Sequence, residues 1–127
     1  CIRDSMYDPA AGSWQQVAEI PTVRSSHAAA VVDGKIYVSG GLAESGQYSD
    51  ALEAYDPVAD TWTTLASLSE ARAFHASAAV HGKLYVFGGC SSSGGMDLVE
   101  VYSPASNSWA RAADLPCPFD ECVAVAL

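Results

Sequence analysis

The chain has 127 residues, of which half are apolar, and carries 15 acidic residues against six Lys and Arg, for a formal net charge of −9. The apolar residues occur in short runs, which excludes a membrane-spanning segment, and the negative charge excludes the basic face that nucleic-acid binding needs. This composition favours a soluble domain with basic or neutral partners.

A repeat of 48 and then 47 residues runs through the chain. Tyr occurs at positions 7, 55 and 102, and each of these residues precedes a Trp by seven positions. The pairs Gly40-Gly41 and Gly88-Gly89 are separated by 48 residues, and so are Arg24 and Arg72. Self-similarity at a fixed period is typical of proteins built from stacked copies of one small unit.

The unit reads as four short strands. The first is "HAAAVV" from His27, and Asp33-Gly34 then predicts a tight turn, because a two-residue hairpin turn needs positive φ. The second strand is "KIYVSGG", the third is "ALEAYDP", which Pro57 ends, and the fourth is "TWTTL". Between the second and third strands, "LAESGQYSD" is one residue longer than its counterpart "CSSSGGMD", so we expect a surface loop there.

The second copy repeats these strands from His75, as "HASAAV", "KLYVFGG", "LVEVYSP" and "SWARA". The Ala-rich stretch "EARAFHASAAV" from Glu70 would suit a helix by composition alone. Its place in the repeat, directly before a hairpin turn, favours a strand instead. We therefore expect an all-β chain.

These motifs resemble the Kelch repeat, in which each copy forms one four-stranded antiparallel blade of a β-propeller. The resemblance rests on the double glycine, the Tyr and the Trp at the expected spacings, and it covers essentially the whole chain. Propeller blades taper toward a central channel, so the small side chains of "HAAAVV", "HASAAV" and "CVAVAL" predict innermost strands.

The resemblance divides the chain into four parts. Residues 1–20 are expected to hold the last two strands of one blade, 21–66 and 67–113 to be full repeats, and 114–127 to hold the first strand of a following blade. The expectation is a fragment of a larger propeller, with two full blades and a partial blade at each end.

The repeated aromatic and glycine residues are expected to be structural. A blade needs a neighbour on each side to bury both faces, so the Trp residues are predicted to fill the space between blades, with Trp62 deeply buried. The double glycines are predicted to bend the second strand and to let a large ring approach the backbone. The structural set is Gly40, Gly41, Gly88, Gly89, Tyr55, Tyr102, Trp14, Trp62 and Trp109.

The loop face of the propeller is the predicted partner-binding site. The resemblance implies that this face holds a short peptide, with contributions from an Arg ahead of the inner strand and from the residue after it. An Arg in the propeller mouth can form paired hydrogen bonds to carboxylate or phosphate, which predicts acidic or phosphorylated ligands. The alternative is that each Arg ties neighbouring blades together. The predicted binding residues are Arg24, Ser25, Arg72, Ala73, Tyr48, Ser91, Ser92 and Ser93.

No catalytic site, cofactor or metal is predicted. His27 and His75 recur at one repeat position, which favours a structural role at the start of the inner strand. The four Cys residues do not recur with the repeat, and Cys117 and Cys122 lack a CxxC motif or paired His. We expect free thiols in a reducing compartment, and the expected location is the cytoplasm, with the nucleus as a further compartment.

The Kelch resemblance implies a protein-interaction function. The stretches "RSSHAAAVVDGKIYVSGG" and "EAYDPVADTW" are similar in sequence to animal Kelch-like proteins. In that group a BTB domain, which this sequence does not contain, precedes the propeller and recruits a cullin ubiquitin ligase, while the propeller selects the substrate. The alternatives are a Kelch scaffold or actin-associated protein without ligase function and, less favoured, a Kelch-propeller enzyme.

Overall fold

The computed structural model describes residues 4–126, in which every regular element is a β-strand. The strands are β1 (Ser5–Asp8), β2 (Ser13–Gln16), β3 (Ala28–Val32), β4 (Lys35–Ser39), β5 (Leu52–Asp56), β6 (Thr61–Leu65), β7 (Ala76–Val80), β8 (Lys83–Phe87), β9 (Cys90–Ser91), β10 (Gly94–Gly95), β11 (Val99–Ser103) and β12 (Ser108–Arg111). Two antiparallel sheets have four strands, β3-β4-β5-β6 and β7-β8-β11-β12, and β1-β2 and β9-β10 form two-stranded sheets. The predicted all-β fold of four-stranded antiparallel blades is confirmed.

We call β3–β6 the first blade and the sheet of β7, β8, β11 and β12 the second blade. Both begin with the predicted hairpin. In the first blade Asp33 and Gly34 have φ of 48° and 78°, and in the second His81 and Gly82 have φ of 48° and 71°. Positive φ at both central residues lets a two-residue turn follow the twist of the strands.

The two blades pack face to face through a shared core. The rings of Tyr37, from the first blade, and Tyr102, from the second, lie 6.0 Å apart across the interface. Each blade thereby covers a face that it cannot bury alone. The buried core residues are Val32, Tyr37, Leu52, Ala54, Leu68, Leu84, Val86 and Tyr102.

The Ala-rich strands lie together at one side of the molecule. β3 pairs only with β4, and β7 pairs only with β8, so each forms one edge of its sheet. The first residues of β3 and β7 and residues 122–124 surround a cavity of about 260 Å³. Small side chains permit this approach, and the three segments converge as innermost strands would.

Residues 122–126, which the repeat aligns with a first strand, form no strand. In both blades the first strand pairs only with the second strand of its own sheet. Within residues 4–126 this segment pairs with no strand.

A repeated aromatic clamp holds each blade against the segment that leads into it. We call residues 17–27, 66–75 and 112–121 the linking segments. The indole N–H of Trp62 donates to the carbonyl oxygen of Ala18 at 2.9 Å. The N–H of Ala18 donates to the carboxylate of Asp60 at 2.8 Å, and the hydroxyl of Tyr55 donates to the same oxygen at 2.7 Å. Both backbone polar groups of Ala18 are thus satisfied by the first blade.

The second blade repeats this clamp around Ala66. Trp109 donates to the Ala66 carbonyl oxygen at 2.7 Å, and the Ala66 N–H donates to the Asn107 side chain at 2.9 Å. Tyr102 donates to that same amide oxygen at 2.7 Å. The aromatic pair and the polar side chain between them therefore act as one unit.

The prediction that Trp62 is deeply buried is wrong. Trp62 and Trp109 are half-buried, because they lie on the outermost strands, β6 and β12, where one side of the ring faces solvent. Trp14 is 71% exposed. Its ring packs on Tyr7, with centroids 5.2 Å apart.

The double glycines lie where the second strand passes against the next linking segment. A Cβ on Gly40 would stand 2.5 Å from the carbonyl oxygen of Arg72, and one on Gly88 would stand 2.5 Å from that of Phe119. The N–H of Gly41 donates to the same Arg72 oxygen at 2.8 Å. The closest neighbour of each glycine is therefore a backbone carbonyl group, and at Gly40 the His75 ring also approaches, 2.6 Å from the position of such a Cβ.

The clamp geometry predicts graded costs of substitution at Trp62. We expect Trp62→Ala to lower the free energy of unfolding by about 3 kcal/mol, because it removes both ring packing and the bond to Ala18. Trp62→Phe should cost about 1 kcal/mol, since it keeps most of the packing and loses the hydrogen bond. Denaturant unfolding of both variants tests this, and a loss under about 1 kcal/mol for Trp62→Ala would contradict the clamp.

Candidate functional site

The loops that join second to third strands and the linking segments emerge at the same end of the blades, which we call the loop face. Backbone pairs fix these segments to one another. Ser25 and Leu42 exchange hydrogen bonds of 2.9 and 2.7 Å, and Ala73 and Cys90 exchange two of 2.9 Å. The loop face is therefore a platform held by paired backbone groups.

Arg24 lies beneath this platform, and its side chain is 0% exposed. The guanidinium donates to the carbonyl oxygens of Gly40 and Ala51 at 3.0 Å each, and it forms an ion pair with the carboxylate of Glu53. The Glu53 carboxylate also accepts a 2.9 Å bond from the hydroxyl of Thr22. Arg24 thus joins the linking segment to the end of β4 and the start of β5.

Arg72 makes the same set of bonds in the second blade, again with a side chain 0% exposed. It donates to the carbonyl oxygens of Gly88 and Leu98 at 3.1 Å each and to the carboxylate of Glu100 at 2.6 Å. Burial lowers the pKa of Arg72, while the charges of Glu100 and Glu70 oppose that shift.

These contacts contradict the predicted binding role of Arg24 and Arg72. Their guanidinium groups are enclosed by carbonyl and carboxylate groups of their own blades, so neither presents a cation to a partner. The alternative interpretation, an architectural arginine, fits the contacts better. The side-chain bonds differ from that interpretation in one respect, because they connect parts of a single blade and not two neighbouring blades.

The residues that follow the two arginines differ in exposure. Ser25 is exposed, whereas Ala73 is 0% exposed and pairs with Cys90. Ala73 is therefore unavailable to a partner, because its small side chain is enclosed where the linking segment crosses the loop.

The structure brings Tyr48 and two of the predicted serines to one cleft. The cleft has a volume of about 390 Å³ and lies at the seam between the loop of the first blade and that of the second. Tyr48 is half-buried, and its hydroxyl lies 3.6 Å from the sulfur of Cys90. Ser91 is buried and Ser92 is exposed. The cleft is lined by Gly46, Gln47, Tyr48, Glu70, Ala71, Ser91 and Ser92.

A second cleft of about 270 Å³ adjoins the first and shares Glu70 and Ser91 with it. Ser93, the third predicted serine, lines this second cleft together with Asp97. We call the two clefts together the seam groove. Its walls come from two blades, so its shape depends on how the blades pack.

The sequence reasoning missed three glutamates. Glu53 and Glu100 pair with the two arginines, and Glu70 lies where the two clefts meet. The first two carried a signal, since they recur 47 residues apart inside strands that are otherwise apolar, "LEAY" and "VEVY". Glu70 carried no such signal, because its place in the groove depends on how loops of different blades come together.

His75 performs the predicted anchoring role at the start of an inner strand. It is 5% exposed, and its Nε2 lies 2.9 Å from the hydroxyl of Ser39 in the neighbouring blade. Burial, aided by the nearby charge of Arg72, lowers its pKa to about 4. The equivalent His27 is exposed, and partial burial and the charge of Arg24 lower its pKa.

Residues 4–126 contain no cluster of three or more His, Cys, Asp or Glu side chains arranged to hold a metal ion. Cys90, Cys117 and Cys122 are free thiols. The described part of the chain includes no helix with the length and apolar character that a membrane crossing requires.

Comparison with known proteins gives the same family over nearly the whole chain. Residues 5–126 match the family described as the KLHDC2/KLHL20/DRC7 Kelch-repeats domain. The chain is 32% identical to Kelch-like protein 35 of Mus musculus over 116 residues, which cover 91% of this chain and 19% of that protein. It is 42% identical to Kelch-like protein 15 of Danio rerio over 52 residues, covering 41% of this chain and 9% of that protein. The chain thus spans less than a fifth of the length of these relatives.

The buried ion pair predicts a large stability loss when one partner is removed. We expect Arg72→Ala to lower the free energy of unfolding by about 3–5 kcal/mol, because it leaves the Glu100 carboxylate buried without its counter-ion. Arg111→Ala is the control, since Arg111 pairs with Asp114 on the surface and is 66% exposed, and surface pairs contribute little. If the two substitutions lowered the free energy of unfolding equally in denaturant unfolding, the architectural role of Arg72 would be contradicted.

His75 predicts a pH-dependent stability. Its folded pKa of about 4 lies below the unfolded value near 6.5, so the unfolded chain binds the proton more readily. The contribution of neutral His75 to the free energy of unfolding is complete above pH 6.5 and is lost as the pH falls toward 4. The loss is on the order of 3 kcal/mol. The free energy of unfolding should fall less between pH 7 and pH 4.5 in His75→Gln than in the parent protein. The same pH dependence in both proteins would exclude His75 as its source.

Proposed function

The chain belongs to the Kelch-repeat family, and from this membership we propose that it is a protein-interaction module whose partner docks at the loop face. The observation that carries the proposal is the seam groove, which is formed by loops that differ between the copies and is mounted on segments that repeat. A rigid scaffold that carries variable loops is the usual arrangement of binding surfaces.

The proposed role is binding and not catalysis. The repeated polar residues hold the blades in shape: the arginines bind strand ends, the Tyr and Trp residues clamp the linking segments, and His75 joins two blades. The loop residues Tyr48, Ser91 and Ser92 instead line the open seam groove. A partner segment would contact the Tyr48 ring and the exposed hydroxyl of Ser92.

The finer proposal is that the module selects substrates for a cullin ubiquitin ligase. The support is the resemblance to Kelch-like adaptors, in which a BTB domain carries the cullin contact and the propeller carries the substrate contact. The proposed location is the cytoplasm and nucleus, where the free thiols of Cys90, Cys117 and Cys122 would stay reduced.

Affinity capture of the intact protein from cells, followed by quantitative mass spectrometry, distinguishes cullin binding from substrate binding. The variant Ser92→Arg fills the groove at an exposed position without removing packing. The control is Val58→Ser, because Val58 is 96% exposed in the β5–β6 turn at the opposite end of the blade. We expect both variants to retain the cullin, and only Ser92→Arg to lose a set of partners whose ubiquitylation then falls.

Two results would contradict parts of this proposal. If the parent protein captures no cullin, the ligase role is wrong and the scaffold alternative gains support. If a cullin is captured but every partner is retained by Ser92→Arg, the seam groove is not the substrate site.

A further inference from the structure

The exposed charges of the loop face are acidic. The linking segments and loops expose the carboxylates of Glu44, Asp50, Glu70, Asp97, Asp120 and Glu121. The two arginines of this face are buried, and each neutralises a buried glutamate. Arg111, which lines the second cleft, is paired with Asp114. Within residues 4–126 the loop face therefore offers a partner no exposed, unpaired Lys or Arg side chain.

Two of these carboxylates border the seam groove. Glu70 lies at the junction of the two clefts, and Asp97 lines the second. Among the described residues neither carboxylate forms a hydrogen bond or an ion pair. Their charges act on Arg72 and Arg111, but both guanidinium groups are already bound to other carboxylates. The two acidic groups keep their capacity to bind a cation.

The remainder of the groove is partly apolar and includes the guanidinium of Arg111, which lines the second cleft and is paired with Asp114. The Tyr48 ring and Ala71 line the first cleft beside Glu70, and Met96 and Leu98 line the second beside Asp97. A ligand that fits both parts needs apolar groups next to a positive charge. The backbone pairs around the loops hold this arrangement in place.

We propose that the seam groove binds an extended protein segment in which Lys or Arg stands beside apolar residues, with the cation between Glu70 and Asp97. The inference rests on the proposed function and reverses the ligand chemistry that the arginine positions predicted. Acidic and phosphorylated segments are repelled by the loop face, because the arginines that would attract them are enclosed with Glu53 and Glu100. Complementary charge steers a basic segment to the groove, and charge-assisted hydrogen bonds hold it there.

The test selects random peptides displayed on phage against the intact protein, with no charge bias in the library. We expect the enriched peptides to be rich in Lys or Arg and poor in Asp and Glu. A synthetic copy of the best peptide is then measured by fluorescence polarisation against the double variant Glu70→Gln, Asp97→Asn. Loss of two charge-assisted contacts should weaken its binding at least 10-fold. Both residues are exposed, so melting temperatures should match that of the parent.

A matched control is Glu19→Gln, which removes one exposed carboxylate from a linking segment outside the groove. It should leave the affinity unchanged. Equal affinity of a basic peptide for the parent and the double variant would mean attraction to the acidic chain as a whole, and would overturn the proposal. Failure to enrich any peptide would overturn it as well.

The remaining outcomes separate this inference from the proposed function. Enriched acidic or neutral peptides that no longer bind Ser92→Arg would overturn the basic-ligand assignment and leave the groove as the partner site. Enriched peptides that bind Ser92→Arg and the parent equally would overturn the groove itself, and with it both proposals.

Discussion

The buried arginine–glutamate pair is the interaction on which the loop face depends. Removing both charges from water is costly, and the pair is favourable only if its remaining hydrogen-bonding groups also find partners. Here they do, since Arg72 binds two backbone carbonyl groups as well as Glu100, and Ser69 donates to the second carboxylate oxygen at 3.2 Å. The ends of two strands and the linking segment are therefore held at one point in each blade.

The same residue also connects the blades through its backbone. The side chain of Arg72 organises the second blade, while its carbonyl oxygen accepts the Gly41 N–H of the first. That carbonyl lies so close to Gly40 that any side chain there would collide with it. The double glycine and the arginine, which recur together in the sequence, are two halves of one junction.

The sequence predicted what depends on local chemistry and on repetition. The hairpin turns at Asp33 and His81, the four strands of each unit and the pairing of Tyr with Trp all follow from turn residues, alternation and spacing. The direction of the Arg24 side chain did not follow, because a repeat shows that a position matters without showing which way its side chain points. The partial exposure of Trp62 also escaped prediction, since it depends on the place of β6 at the outside of the sheet.

The seam groove could not be read from the repeat, because it is built from what the copies do not share. Tyr48 comes from the first blade's loop, and Ser91 from the second blade's loop. Their relative position is set by the shared core and by the aromatic clamps. A change in blade packing would therefore alter the binding surface without touching it. The acidic character of that surface comes instead from a feature that the copies share, since each blade encloses the loop-face cation that would otherwise have balanced it.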